Sequence, residues 1–304
     1  MFDKNPFTLT QQVKQLQDRG LKIKHPRIAE KYLINISYYR LGEYWYVMQS
    51  DKENHIFKPN SKFEDVIALY NFDAELRLLL FDVIEKIEIS LRTKLIYYLS
   101  HEIDPWWFQN KDCFVNESFF KMTLSSLEKE VKRAAKKDVI LQKHYEKYSK
   151  DKLPHAWKTI EYTSLGNLSK IYGNLNNKIK SKKIIAREYG AVNHTYLPSW
   201  LQSIAQIRNF CAHHSRLWNR NLPSTVKLLP NPPNPWIVNI ENVPTEHEFS
   251  KLYVHMCLMR YMLNTILPKN EFGNKLNSLL LKYPNVDPNA LGMKPNWQSE
   301  PLWK

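Results

Sequence analysis

Residues 63–99 read FEDVIALYNFDAELRLLLFDVIEKIEISLRTKLIYYL, and this segment is the strongest indication of secondary structure in the chain. Its apolar residues recur at intervals of three and four positions, the spacing of one face of an α-helix. The stripe consists of Phe63, Val66, Ile67, Tyr70, Leu76, Leu80, Val83, Ile84, Ile87, Leu91 and Leu95. No glycine occurs between Gly42 and Gly166, and no proline between Pro105 and Pro154. Because these helix breakers are absent, the pattern predicts one or two consecutive long helices that end before Pro105.

Comparable patterns predict helices along most of the remaining chain. The predicted helices cover residues 10–19, 26–33, 117–148, 157–172, 181–189, 249–267 and 274–282, and one more opens at residue 197. Strand-like alternation is confined to residues 236–240. The sequence therefore predicts an all-α fold.

The composition excludes several classes of protein. The chain has only 7 glycines in 304 residues, which argues against glycine-rich phosphate loops and Rossmann turns. It has no run of about 18 uncharged apolar residues that could span a membrane. Residues 1–6 do not begin a secretion signal, and the 3 cysteines include no CxxC pair. We therefore expect a cytoplasmic protein that has no association with a membrane.

The formal charge of +14 favours a polyanionic partner, because neutralising phosphates releases counterions. Five of the cations fall within ten residues and are predicted to bind a nucleic acid, RNA or DNA: Lys178, Lys180, Lys182, Lys183 and Arg187. The alternative for such a cluster is a solvated helix face.

The 9 tryptophans and 17 tyrosines provide material for the core and possible stacking surfaces for bases. We expect Trp106, Trp107, Trp157 and Trp200 to lie in the core. The best candidate for a stacking surface is formed by residues 38–40 with residues 44 and 45, and core packing is the alternative there.

Residues 206–220 hold the densest group of chemically active side chains: 3 arginines, 2 histidines and 2 asparagines. On a continuous helix, helical spacing would align Asn209, His213, Arg216 and Arg220 along one side. Arg208 would lie about 140° away from His213 around the helix axis. The two side chains can therefore converge on one phosphate only if the helix ends or bends between them, or if a second subunit contributes.

These residue types suit metal-independent cleavage of RNA. Histidine exchanges protons near neutral pH, and arginine holds a phosphate on which negative charge develops. A zinc site at Cys211 with His213 or His214 lacks a second pair of ligands nearby, and a Cys211–His213 nucleophile pair diverges on a helix. Another reading is a helix end whose cations cap carbonyl groups or pair with carboxylates.

A group of charged residues on the long helix has a predicted supporting role. Glu85, Glu88 and Arg92 are spaced at i, i+3 and i+7, so they share one helix face. We expect them to pair with one another or to orient Arg208.

The segment from Arg208 to His213 fits the R-x4-H signature of HEPN domains, with the polar residue Asn209 after the arginine. The string through Arg220 resembles the bacterial abortive-infection (Abi) family of the AbiD/AbiF type. The resemblance covers roughly residues 8–222. Further blocks that carry it lie at residues 16–20, 38–45, 69–78, 84–92 and 154–172.

The resemblance implies a HEPN-like helical bundle over residues 61–222, preceded by a helical N-terminal segment (1–60). The remaining residues, 223–304, lie beyond the resemblance and are predicted from their prolines and apolar pattern to form a proline-rich connection and a helical extension. It implies an endoribonuclease toxin of phage defence that needs no cofactor or metal and leaves 2′,3′-cyclic phosphate ends. The catalytic residues would be Arg208 and His213, assisted by Asn209, while His214, Arg216 and Arg220 would contact RNA.

The resemblance also implies partners. A small structured RNA would restrain the enzyme as in a toxin–antitoxin pair, and a homodimer would join two R-x4-H motifs into one composite site. The chain holds a single R-x4-H motif, so the second motif has to come from a second copy. The alternative from a different class is a non-catalytic RNA-binding or scaffold protein.

Overall fold

The computed structural model describes residues 5–224, 226–239 and 242–304. Its α-helices are α1 (Leu9–Asp18), α2 (Pro26–Ile36), α3 (Tyr38–Trp45), α4 (Phe63–Glu102), α5 (Glu117–Ala135), α6 (Val139–Lys147), α7 (Ala156–Thr159), α8 (Leu165–Asn174), α9 (Lys180–Glu188), α10 (Leu197–Ala212), α11 (Leu252–Ile266) and α12 (Phe272–Lys282). Two short antiparallel strands, β1 (Gln49–Asp51) and β2 (Ile56–Phe57), form the sheet seen within the described residues. The all-α prediction is confirmed.

The chain divides into two compact units. One, the N-terminal unit, comprises residues 1–78 and 276–287, and the other, the larger unit, comprises residues 79–275 and 288–304. The three-part division at residues 60 and 222 stays a prediction.

In the N-terminal unit, α1 and α2 pack together around Val13, Leu16 and Leu33. Thr8 and Gln11 form a capping box at the start of α1, and the positive φ of Gly20 (96°) lets the chain turn away after its end. Local sequence signals therefore fix both ends of this helix.

The same unit buries a charged network. Asp73 accepts hydrogen bonds from Arg77 and from the hydroxyl of Tyr44, 2.8 Å away, and all three side chains are almost completely buried. Burial and the neighbouring carboxylate raise the pKa of Tyr44. The tyrosine hydroxyl therefore stays protonated and remains a donor to Asp73.

In the larger unit, the second half of α4 contributes the core residues Leu80, Ile87, Leu91, Leu95 and Leu99. Helix α10 packs against α8 and α11, and α11 also contacts the C-terminal residues. The site residues near the end of α10 are therefore carried by a helix that is buried along most of its length.

Several local predictions needed correction. The predicted helix over 117–148 is two helices, because the carboxylate of Asp138 accepts backbone N–H bonds from Ile140 and Leu141 and starts α6. The segment 157–172 is likewise interrupted, and Ser164 caps α8. Residues 236–239 form no strand, and Ile240 lies outside the described residues.

The tryptophans divide between core and surface. Trp107 and Trp200 are fully buried, whereas Trp106 and Trp157 are 42% and 49% exposed, so the core prediction is wrong for the latter two. Within the described part of the chain, no helix combines the length and the apolar character needed to cross a membrane.

Candidate active site

Helix α10 begins with Pro198 in its first turn, where a missing N–H group costs no hydrogen bond. One side of the helix is buried through Trp200, Ile204 and Ile207. The indole N–H of Trp200 donates to the carbonyl of Lys227 at 2.7 Å. These contacts hold the helix firmly while its C-terminal end reaches the surface.

The helix ends in a Schellman motif. The N–H of Ser215 donates to the carbonyl of Phe210 (2.9 Å), and the N–H of His214 donates to that of Cys211 (3.1 Å). His214 adopts the left-handed conformation with φ of 53°, at the position where glycine is usual. Histidine tolerates this conformation better than most residues, and the turn satisfies the last carbonyl groups of α10.

The turn leaves the three predicted catalytic residues accessible. Asn209 and His213 are exposed and Arg208 is partly exposed. The guanidinium carbon of Arg208 lies 5.9 Å from the ring centre of Phe81 on α4. Among the described residues, the side chains of Arg208 and His213 have no hydrogen-bond or ion-pair partner, so both remain available for an anion.

Arg208 and His213 start from different sides of the chain. The helix ends at Ala212, after Arg208 and before His213, and His213 has the dihedral angles of the bridge region (φ −91°, ψ 9°). Because the residues from Arg208 to Ala212 are helical, the Cβ of His213 lies about 140° around the axis from that of Arg208. The helix therefore ends too late to change the angle between the two Cβ positions.

Arg216 and Arg220 do not continue the helix face, because α10 ends before them. The guanidinium of Arg216 donates to the carbonyl of Trp218 at 2.9 Å, and Nε of Arg220 donates to the carbonyl of Arg216 at 2.5 Å. Arg220 also lies over the ring of Phe210, 4.7 Å from its centre. Both arginines therefore help to shape the loop, and the predicted alignment of Asn209, His213, Arg216 and Arg220 on one helix is wrong.

The predicted supporting group is placed on α4. Arg92 donates to Glu88 at 2.8 Å and to the carbonyl groups of Ile160 (3.2 Å) and Thr163 (3.0 Å). Arg92 therefore joins α4 to the segment before α8, which is a structural role. Glu85 is exposed and lies one turn along α4 from Phe81, the residue that Arg208 contacts.

Phe81 is the site residue that sequence reasoning missed. It is 39% exposed although it sits in a strongly apolar stretch of α4. Its position four residues before Glu85 placed it on the same helix face as the charged group. The helical spacing could therefore have indicated that Phe81 belongs to the site, but aromatic residues in long helices are usually assigned to the core.

The basic cluster around α9 is mostly at the surface. Lys178, Lys180, Lys183 and Arg187 are exposed. The carboxylate of Glu102 accepts the backbone N–H groups of Lys180 and Ser181 at 2.8 and 2.6 Å and so caps α9 from the end of α4.

Lys182 does not belong to that surface. It is 4% exposed, and its ammonium group donates to the carbonyl of Leu175 (2.6 Å) and to the side chain of Asn177 (2.9 Å). Burial lowers the pKa of Lys182 to about 8. The prediction that Lys182 contacts RNA is therefore wrong. Its ammonium group lies inside the protein and links α9 to the end of α8.

The donor atoms around the turn do not converge on a metal. Cys211 lies on the buried side of α10, while His213 and His214 are exposed on its end. Across the described residues, no group of three or more histidine, cysteine, aspartate or glutamate side chains is arranged to hold a metal ion.

Residues 31–219 match the model of a family described as Abi-like protein. The chain belongs to the Abi-like protein family. The match covers more than half of the 304 residues and includes Arg208, His213 and all of α4. No curated protein and no solved structure gives a significant match to the chain.

Membership of the Abi-like family points to abortive infection, a form of defence against phage. The resemblance stated from the sequence is thereby confirmed for the family, while the HEPN and AbiD/AbiF assignments stay predictions.

The family match ends at residue 219, yet the residues after it support α10. Trp200 contacts Tyr261 of α11, and Ser203 of α10 shares a short hydrogen bond with His255 of α11.

Proposed function

We propose that this Abi-like protein is a metal-independent endoribonuclease of the HEPN type that acts as a toxin in abortive infection. The observation that carries the proposal is the pair Arg208 and His213: both are accessible at the end of a buried helix, and neither has a hydrogen-bond or ion-pair partner among the described residues. A structural arginine or histidine is normally held by a carboxylate or carbonyl group, as Arg92 and Arg216 are here.

The proposed reaction is transesterification of the RNA backbone. A neutral histidine takes the proton of the 2′-OH, whose oxygen attacks the adjacent phosphorus while the bond to the 5′-oxygen breaks. A protonated histidine gives its proton to the departing 5′-oxygen. Arginine stabilises the phosphate as negative charge develops on it, and Asn209 orients either group. The products are a 2′,3′-cyclic phosphate and a 5′-OH end.

We place this reaction at a two-fold interface between copies of the chain. One copy directs Arg208 and His213 about 140° apart around α10, whereas two facing motifs supply two arginines and two histidines to one cleft. Two histidines can divide the acid and base roles. The surface of α4 next to Arg208 supports such an interface, because the apolar ring of Phe81 is 39% exposed there.

RNA is also the regulatory partner in this proposal. A small structured RNA restrains the toxin by occupying a basic surface. The exposed cations of α9 and His214, Arg216 and Arg220 beside the R-x4-H motif are the groups proposed to contact the phosphates.

The test is RNA cleavage by purified Arg208→Ala and His213→Ala variants in the presence of EDTA. Each variant is expected to cleave RNA about 10²–10⁴ times more slowly than the parent protein. Folding should be preserved, because the ring contact of Arg208 contributes about 1 kcal/mol or less. His25→Ala and Arg27→Ala are matched controls, since both residues are exposed in the N-terminal unit.

Cleavage that continues unchanged in both site variants contradicts the proposal. Activity that disappears in EDTA points to a metal-dependent nuclease instead. Mass spectrometry of the products supplies the second readout, with 2′,3′-cyclic phosphate ends expected.

A non-catalytic RNA-binding protein is the second candidate, and the exposed cations of α9 favour it. That protein would bind RNA with a steep salt dependence and would never shorten it. Sequencing of RNA that copurifies with the protein separates two modes of control: one abundant small RNA supports the antitoxin, and a mixture of fragments supports general binding.

A further inference from the structure

A cleft of about 740 Å³ lies in the N-terminal unit, and its lining includes none of the residues assigned to catalysis. Its lining residues are Asn5, Phe7, Gln12, Gln15, Arg19 and Tyr38. The volume falls in the range of small-molecule sites. The lining combines one cation, three amides and two aromatic rings and contains no carboxylate.

Arg19 is the group that indicates an anionic ligand. It is partly buried, and one of its N–H groups donates to the hydroxyl of Tyr38 at 3.0 Å. No carboxylate among the described residues pairs with it. The remaining guanidinium N–H groups form a planar fork that matches the oxygens of a phosphate.

The aromatic side of the cleft is held in place. The Tyr38 hydroxyl donates to Gln15 at 3.2 Å, and its ring meets Trp45 edge-on with 4.8 Å between ring centres. Tyr38 opens α3 directly after Ser37, which has a positive φ of 77° and joins α2 to α3 through a single residue. The contacts with Arg19, Gln15 and Trp45 then hold the Tyr38 side chain in one orientation.

The amide groups give the cleft a way to read a base. The side-chain nitrogen of Gln12 donates to the carbonyl of Phe7 at 3.0 Å, so Phe7 and Gln12 are tied together at one wall. Phe7 is 49% exposed and offers a ring face. Amides that hydrogen-bond base edges and rings that stack on bases are the means by which proteins bind unpaired nucleotides.

We infer that this cleft binds an unpaired nucleotide, with Arg19 on the phosphate, Phe7 or Tyr38 stacked on the base, and the amides at its edge. The nucleotide comes either from a single-stranded segment of RNA or from a free nucleoside monophosphate. The site does not depend on cleavage at Arg208 and His213, so it holds whether or not the protein is a nuclease.

Two probes distinguish the two sources of the nucleotide. The first is a fluorescein-labelled ten-nucleotide oligouridine, followed by anisotropy, and the second is 5′-UMP as a competitor. Both are applied to the His213→Ala variant, in which RNA stays intact if the chain is a nuclease. Competition by 5′-UMP supports a site for free nucleotide, and binding of the oligomer without competition supports an RNA strand.

Arg19→Gln is expected to weaken binding of the oligomer about tenfold or more and to lower the salt slope by about 0.7, the share of one phosphate. Arg27→Gln is the matched control, because it removes the same charge from an exposed position in the same unit. Equal weakening by both variants, or no effect of Arg19→Gln, overturns the inference.

Photocrosslinking keeps the test valid if Arg19→Gln fails to fold. Oligouridine that carries 4-thiouridine should crosslink to peptides that contain Phe7 or Tyr38 in the intact site. Crosslinks confined to other parts of the chain, or no binding of either probe, also overturn the inference.

Discussion

Replacement of Trp303 by alanine should destabilise the larger unit by about 4 kcal/mol. The indole is 6% exposed and contacts Tyr253, Trp297 and Phe272, with ring centres 6.2, 4.9 and 5.6 Å away. A buried indole removes about 200 Å² from water, worth roughly 5 kcal/mol at about 25 cal/mol per Å². Measured losses for such truncations are about 3–5 kcal/mol.

The effect should reach the proposed catalytic helix, because α11 connects the C-terminal residues to α10. Tyr253 and His255 lie on α11, and His255 contacts Ser203 of α10. Hydrogen exchange should therefore report faster opening of the α10 amides in the Trp303→Ala variant.

The free energy of unfolding is measured by urea denaturation followed by circular dichroism. The change is taken from the shift of the midpoint at constant slope.

Trp157→Ala is the control, since that ring is 49% exposed and its loss should cost about half as much, roughly 2.5 kcal/mol. A loss below about 1.5 kcal/mol for Trp303→Ala would refute the assignment of the C-terminal residues to the core. So would a loss equal to that of the control.

Three further predictions test other parts of the molecule. Asp73→Ala should lower the free energy of unfolding, measured with urea, by about 3–5 kcal/mol, because it removes the buried carboxylate that accepts a hydrogen bond from Arg77. A decrease of less than about 1 kcal/mol would contradict this prediction. Burial lowers the pKa of His255 to about 4, so the imidazole is harder to protonate in the folded state than in the unfolded state. The free energy of unfolding should therefore fall by about 3 kcal/mol as the pH falls from 6.5 to 4. His255→Gln should lack that part of the acid destabilisation in urea unfolding at several pH values, and equal pH slopes would exclude the buried neutral imidazole. His214→Gly should keep the turn that ends α10 and leave stability within about 1 kcal/mol, while gel-shift assays should detect weaker RNA binding; unchanged affinity would assign His214 to the turn alone.

The sequence was a good guide where one local signal governs the structure. The uninterrupted apolar stripe of residues 63–99 predicted α4, and the helix predicted over residues 10–19 agrees closely with α1. The break between α5 and α6 was missed because it rests on one aspartate, Asp138, inside a heavily charged run that looks helical throughout. Capping by a single side chain is a weak signal against that background.

The candidate site shows a second limit of sequence reasoning. The R-x4-H spacing identified Arg208 and His213, but continuing the helical spacing placed Arg216 and Arg220 on a helix that had already ended. The stop is a histidine in the left-handed conformation, where the sequence has no glycine to announce it. Burial of Lys182 was equally hidden, since its partners are mainly backbone carbonyl groups that become neighbours only in the folded chain.

The composite-site model is tested most directly with a mixed dimer, in which one copy carries Arg208→Ala and the other His213→Ala. Each homodimer lacks one type of group completely, whereas the mixed dimer keeps one arginine and one histidine, contributed by different copies. Two affinity tags isolate the mixed dimer, and light scattering confirms its mass before RNA cleavage is measured in EDTA. We predict that the mixed dimer cleaves faster than either homodimeric variant. A mixed dimer as inactive as both variants, or a parent protein that cleaves RNA as a monomer, would contradict the account.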